Sequence, residues 1–188
     1  YDEANDQWIK ASTTQSGWYN YDNQIWANAV TTTEDTRISY QIAESGAIIP
    51  MDDILGMYVW IPRYEYMYTN LGTSYAGGTA TQPGGIGINF VSGTSTTETT
   101  NYIIHPAFRN GSVNYTNNAY TTTKPYQMGG WDSEITGFWY AKFETTGSAT
   151  EPTSKPNLQS LRNQTVGEQF AISQLISSYQ GIDMDSHM

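Results

Sequence analysis

Cysteine is absent from all 188 residues, which excludes disulfides, thiol nucleophiles and Cys-based zinc or iron–sulfur centres. Positive charge is scarce: 8 Lys and Arg stand against 18 Asp and Glu, a formal net charge of −10. Displacing counterions from a phosphate backbone needs clustered cations, so neither nucleic acid nor an anionic membrane is an expected partner. Histidine occurs only at 105 and 187, so a three-histidine metal site cannot be assembled within one chain. No apolar run approaches the ~20 residues that a spanning helix needs. Direct membrane contact is therefore not expected of this segment. Neither a cofactor nor a metal is implied.

What the chain does have is Tyr (15), Trp (6) and Gly (17), with abundant Thr and Asn, while only 14% of residues are charged. Such a polar, weakly charged composition resembles that of bacterial surface and phage-tail proteins, and an extracellular or cell-surface location is expected. The chain starts at Tyr1, as expected of a processed product or a fragment whose signal or anchor lay upstream.

The most informative stretch is G-F-W-Y-A-K-F-E-T-T-G at 137–147. Flanking glycines mark turns, and the aromatic interior marks a strand. Alternation places Phe138, Tyr140, Lys142 and Glu144 on one side and Trp139, Ala141 and Phe143 on the other. Apolar residues on both faces predict a central strand over 137–145 with Trp139 and Phe143 in the core. Lys142 and Glu144 must then find partners or reach water.

This stretch resembles the aromatic-x-x-x-Lys-aromatic-Glu-x-Thr strand of formylglycine-generating-enzyme-like (sulfatase-modifying-factor) domains, a branch of the C-type-lectin-like fold. Val59-Trp60-Ile61-Pro62 is similar to their Val-x-Ile-Pro entry strand. His105-Pro106 is similar to the segment leading into the Lys/Glu strand, with the pair reversed. The resemblance covers roughly 50–180, the N-terminal half of such a domain. It implies an α+β, C-type-lectin-like fold in which Trp60 is also structural. The family's oxidative chemistry depends on cysteine in the half of the domain after the first helix, so formylglycine generation is not expected here. A hydrophobic prepilin-like helix often precedes such domains in Gram-positive bacteria.

Residues 1–50 read as an N-terminal hairpin and linker. Trp18-Tyr19-Asn20-Tyr21 and residues 24–30 flank the turn-tolerant Asp22-Asn23. Trp18, Tyr19, Tyr21 and Trp26 either form an aromatic platform for sugar rings or pack the hairpin onto the domain. Thr31–Gly46 reads as linker with a short strand at Arg37–Ile42. Residues 51–188 read as the domain itself, beginning with a strand over 54–68 in which Pro62 marks an edge or bulge. Arg63 and Glu65 repeat the basic-x-acidic spacing of Lys142 and Glu144, and cross-strand pairing between them is expected.

Insertions are expected at 69–101, around the apolar stretch Ile86–Val91, and at 109–132. Loops this long are commonly functional. Tyr115, Tyr120, Tyr126 and Trp131 are expected to form a binding or assembly surface rather than core. One helix is predicted at about 165–180. Thr165-Val-Gly-Glu168 forms a capping box, Phe170, Ile172, Leu175, Ile176 and Tyr179 form an apolar face, and Gly181 ends the helix.

Asp52-Asp53 and Asp132-x-Glu134 are carboxylate pairs; glycosidase chemistry needs two such groups held apart across a cleft, which neighbours in sequence do not show, and the starts of helices and strands often carry acids. His105 before proline reads as a strand-end structural residue, and Asp183-x-Asp185-x-His187 as tail. The leading functional expectation is a non-catalytic recognition or adhesion module of a bacterial surface or pilus-like structure, contacting a host glycan or protein. The alternative is a structural subunit of a filament, pilus or phage tail fibre, and a hydrolase is third. The elements that follow the helix in the resembled family are missing after Met188. The sheet edge is therefore expected to be covered by the N-terminal hairpin, by a separate fragment or by a second copy, with completion by another chain favoured.

Overall fold

The structure, a computed structural model, describes residues 1–15, 17–69, 84–110 and 131–182. It is α+β, mostly antiparallel strands with two helices among the described residues. In chain order the strands are β1 (Trp8–Ile9), β2 (Asn28–Thr32), β3 (Ile48–Ile49), β4 (Ile54–Pro62), β5 (Tyr64–Thr69), β6 (Gly85–Phe90), β7 (Ile103–Ile104), β8 (Gly137–Ala141), β9 (Thr146–Gly147) and β10 (Pro152–Thr153). The helices are α1 (Glu34–Ile42) and α2 (Val166–Gln180). Two compact units emerge, one formed by Tyr1–Trp60 with Trp139–Met188, the other by Ile61–Phe138.

In the first unit β4 is the central strand of the sheet β2–β4–β8. β2 runs antiparallel to β4, with Asn28 opposite Val59 and Val30 opposite Met57. This pairing draws residues 1–50 into the same unit as β4 rather than leaving them a separate hairpin and linker. Trp8, Ile49, Ile54 and Met57 form the core, with Val30 and Tyr40 against it.

Residues 37–42, expected as a strand, lie in α1. Their R-I-S-Y-Q-I alternation suits a strand, but Glu34 and Asp35 in the first turn favour the positive end of the helix dipole. One turn then aims Tyr40 at the core while Ile38 and Ile42 stay exposed. The last carbonyls of α1 are met by Lys10, whose Nζ donates to Gln41 and Ala43 at 2.6 and 2.7 Å. A cation at a helix C-terminus is favoured by the dipole as well.

α2 forms where its capping box predicts. Glu168 N–H donates to Thr165 Oγ1, Thr165 N–H donates to Glu168 Oε2, and Gly181 takes the left-handed conformation at φ 60°. Its expected apolar face is only partly used: Ile172 is buried, whereas Phe170, Leu175 and Tyr179 are exposed.

The 137–147 segment departs most from expectation. β8 ends at Ala141 and lies at the edge of its sheet, because β2 and β4 occupy the other two places. An edge strand has a neighbour on one side only, and Phe143 lies beyond its end, so Trp139 and Phe143 remain 37% and 38% exposed and are not core. Trp139 meets Trp60 edge-to-face at 5.4 Å. Lys142 donates to Asn28 Oδ1 at 2.8 Å and sits 5.7 Å from the Trp8 ring centroid. Glu144 accepts from Ser160 Oγ. Both charges expected to pair with Arg63 and Glu65 thus take partners within the first unit.

In the second unit β5 is central in the sheet β6–β5–β7. Ile104 and Phe108 are fully buried, and Tyr64 and Phe138 place their rings against Phe108 at 5.1 and 5.3 Å. Residues 85–90, expected inside a loop insertion, are a full partner strand of β5, with Tyr64, Tyr66 and Tyr68 opposite Phe90, Ile88 and Ile86. The chain breaks its extended run at Arg63, which separates β4 from β5.

Candidate functional site

Of the four carboxylates that offered a hydrolytic centre, Glu134 and Asp53 are held by structural partners. Glu134 Oε2 accepts from Arg63 Nη2 at 2.5 Å, and its Oε1 accepts from Arg109 Nε and the Asn110 N–H, each at 3.1 Å. Burial alone would raise its pKa, but the Arg63 bond, the Asn110 amide and the Arg109 charge outweigh it and hold the carboxyl below its usual range. A carboxylate so stabilised stays ionised and is unsuited to act as a general acid. Asp132 is exposed on the neighbouring turn. Asp53 accepts from the Tyr40 hydroxyl at 2.5 Å, and Asp52 is exposed.

Arg63 is the hub of this network and has no exposed surface. Its Nη1 donates to the Phe108 and Ile135 carbonyls at 2.8 and 3.1 Å, and its Nη2 donates to Ser95 O at 3.0 Å. Three backbone segments are thereby tied to one guanidinium, whose planar fork suits such multiple donation. Glu65, also buried, accepts from the Thr99 N–H at 2.8 Å and from Asn89 Nδ2 at 3.2 Å. Burial opposes its ionisation, yet these bonds keep its pKa below the ordinary value.

His105 caps the short 3₁₀ turn Pro106–Phe108: its Nδ1 accepts from the Ala107 N–H at 3.2 Å. The proton of the neutral ring therefore sits on Nε2. Tyr64 and Tyr66 lie 5.2 and 5.5 Å from the ring, and burial lowers its pKa. This is a strand-end structural placement. Among the described residues no three His, Asp or Glu side chains are grouped to hold a metal ion. Asp183, Asp185 and His187 lie outside the described residues.

The aromatics of the N-terminal hairpin pack on one another. Trp18, Tyr19, Tyr21 and Trp26 form a chain of rings 5.5–6.3 Å apart with interplanar angles of 56°, 81° and 84°. Such steep angles leave no shared flat surface for a sugar ring to stack on. Burial, followed by a hydrogen bond to Tyr19, pushes the Tyr21 phenol up to about 12. The hairpin itself is a single bridge, Asn20 to Ile25.

Of the residues expected to form a contact surface, Tyr115, Tyr120 and Tyr126 lie outside the described residues. Trp131 is half-buried, and its indole N–H donates to Ala107 O at 2.7 Å. Its backbone N–H donates to Arg109 O at 3.2 Å, so the residue is stitched to the 3₁₀ turn as well as partly exposed.

Sequence reasoning missed the β5–β6 face. Tyr68, Ile86 and Ile88 are 46%, 61% and 53% exposed and occupy adjacent places in the ladder, with no charge among them. The signal was present: Ile86, Ile88 and Phe90 alternate at the period of a strand and match the tyrosines of 64–68. It also missed Gln180, which is buried at the end of α2. Its Oε1 accepts from Thr31 Oγ1 at 2.7 Å and from the Tyr58 hydroxyl at 3.2 Å, and its Nε2 donates to Pro152 O at 3.2 Å.

Compared with protein-family models, curated proteins and solved structures, the chain matches none of them.

Proposed function

We propose that this chain is a non-catalytic, extracellular recognition module of a bacterial surface or pilus-like structure, built on a C-type-lectin-like plan of the formylglycine-generating-enzyme-like branch. The observation that carries the reading is the exposed apolar face of β5 and β6. Tyr68, Ile86 and Ile88 project from a rigid ladder, and residues 70–83 join its two strands. Contiguous apolar side chains left in water by a soluble fold mark contact sites more often than chance exposure does. Tyrosine in such a place supplies contact area together with a hydrogen-bonding tip. The use of Glu134 and Glu65 in internal networks favours contact over chemistry, because neither is left to move a proton. The partner class is a glycan or protein surface on a host cell.

The test is a glycan array together with a cell-binding assay, run with the intact chain and with a Tyr68→Ala/Ile88→Ser variant in the presence of a chelator. Binding that survives chelation and falls by about tenfold or more in the variant supports the proposal. Absence of binding to every surface, or equal binding by the variant, contradicts it.

A further inference from the structure

We propose that β8 is a self-pairing edge through which two copies of this chain join in antiparallel register about Trp139. The inference does not depend on the recognition reading and uses a different part of the molecule.

The backbone of β8 supplies the first argument. Lys142 N–H donates to Met57 O at 2.9 Å, and Thr136 O accepts from the Arg63 N–H at 2.8 Å. Even-numbered residues here turn their polar backbone groups toward β4. In an extended chain the odd-numbered residues Gly137, Trp139 and Ala141 then turn theirs the other way. No described strand pairs with that side. Natural edges are usually blunted by Lys, Pro, a bulge or a charge. The five residues Gly-Phe-Trp-Tyr-Ala carry none of these, and their aromatic content favours further strand pairing.

The second argument identifies the occupant. A two-fold axis at Trp139 makes that residue exchange both N–H···O=C bonds with its counterpart and sets Gly137 opposite Ala141. The pairing is thus self-complementary, as a two-fold interface must be. A chain of net charge −10 repels its own copies at most surfaces, yet this segment is uncharged. Lys142, the first charge beyond it, is occupied by Asn28 Oδ1 of its own chain. The Trp60–Trp139 edge-to-face contact at 5.4 Å extends in such a pair into a row of four tryptophans across the axis. Side chains now in water, Trp139 at 37%, Tyr140 at 61% and Phe143 at 38%, gain neighbours. Two three-stranded sheets become one of ordinary size.

Sedimentation equilibrium of the intact chain over a wide concentration range tests this. The expected result is a monomer–dimer equilibrium built on the 21.0 kDa chain and going no further. Ala141→Pro removes an outward N–H while sparing the bonds to β4, a place where an edge strand tolerates proline. Trp139→Lys places a gatekeeping charge on the axis. Each variant, with far-UV circular dichroism unchanged, is expected to weaken association by about tenfold or more. Phe170→Ser, on the exposed side of α2, is expected to leave it unaltered. If Ala141→Pro fails to fold, Trp139→Lys alone decides. A wild-type chain that stays monomeric at all concentrations overturns the proposal. So does a dimer that persists in a folded β8 variant, or an open-ended series of larger species.

Discussion

Replacing Arg63 by methionine keeps much of the aliphatic stem and removes the guanidinium, which has no exposed surface. The loss takes away donors to three carbonyls, at Ser95, Phe108 and Ile135, and one of the two cationic partners of Glu134. Breaking a buried ion pair from one side costs about 3–5 kcal/mol when the remaining charge is left alone; Glu134 keeps Arg109 Nε and the Asn110 N–H, which places the cost at or below the lower end of that range. Phe108 O keeps the Ile135 N–H at 3.0 Å and Ser95 is exposed, so each lost carbonyl bond adds about 0.5–1.5 kcal/mol. A small unit has total stability of about 5–15 kcal/mol, so the substitution is expected to open most of the Ile61–Phe138 unit. The assay is hydrogen exchange by mass spectrometry along a urea series, read separately for peptides from each unit, because two units need not unfold together. Arg63→Met should accelerate exchange in 61–69, 84–110 and 131–138 and leave 1–60 nearly unchanged. Adding Glu134→Gln should cost less than it does in the native chain, since its bond to Arg63 is already gone, and the two changes should be non-additive. A destabilisation below about 1 kcal/mol, the range of exposed ion pairs, would refute the assignment of Arg63 as the hub.

Three further outcomes are expected. Gln180→Leu leaves the Thr31 and Tyr58 hydroxyls with only each other and removes the side-chain donor to the Pro152 carbonyl. It should cost the first unit about 1–3 kcal/mol in urea denaturation, more than Tyr58→Phe. Thr165→Ala removes the N-cap of α2 and should cost about 0.5–2 kcal/mol, visible as fraying of the helix in far-UV circular dichroism. Burial depresses the pKa of His105 below its ordinary 6.5, so the unfolded chain takes up that proton first as pH falls. Its contribution is complete above 6.5 and is lost below it. The urea midpoint should therefore be lower at about pH 5.5 than at about pH 7.5, and His105→Asn, which can still accept from Ala107, should shrink the difference.

α2 was legible because its signals are local: a capping box, an apolar spacing and a glycine that accepts φ 60°. The end of β4 was legible for a similar reason, since Pro62 cannot donate within a ladder. α1 was not, because R-I-S-Y-Q-I alternates like a strand, and what holds it comes from residues far along the chain. Lys10 closes its last carbonyls, while Arg37 from α1 reaches the carbonyls of Thr32, Gln180 and Gly181. Trp139 and Phe143 were misplaced because alternation gives the faces of a strand and not its rank within a sheet; that depended on β2 taking the far side of β4. The same limit applied to the scarce cations. Basic-x-acidic spacing suggested that Arg63 and Glu65 pair with Lys142 and Glu144, whereas three dimensions give Arg63 to carbonyls and Glu134, and Lys142 to Asn28. The β5–β6 face was readable in principle from the matched alternation of 64–68 and 86–90.

Recognition through that face is tested most directly by hydroxyl-radical footprinting of the intact chain, free and bound to the glycan or cell-surface fraction that gives the strongest binding. Tyr68, Ile86 and Ile88 are exposed in the free chain and should lose reactivity on binding, while Leu158 and Phe170, equally open to solvent in the first unit, keep theirs. Shielding confined to Leu158, Phe170 or the N-terminal aromatics, with Tyr68 and Ile88 still reactive, would contradict the account.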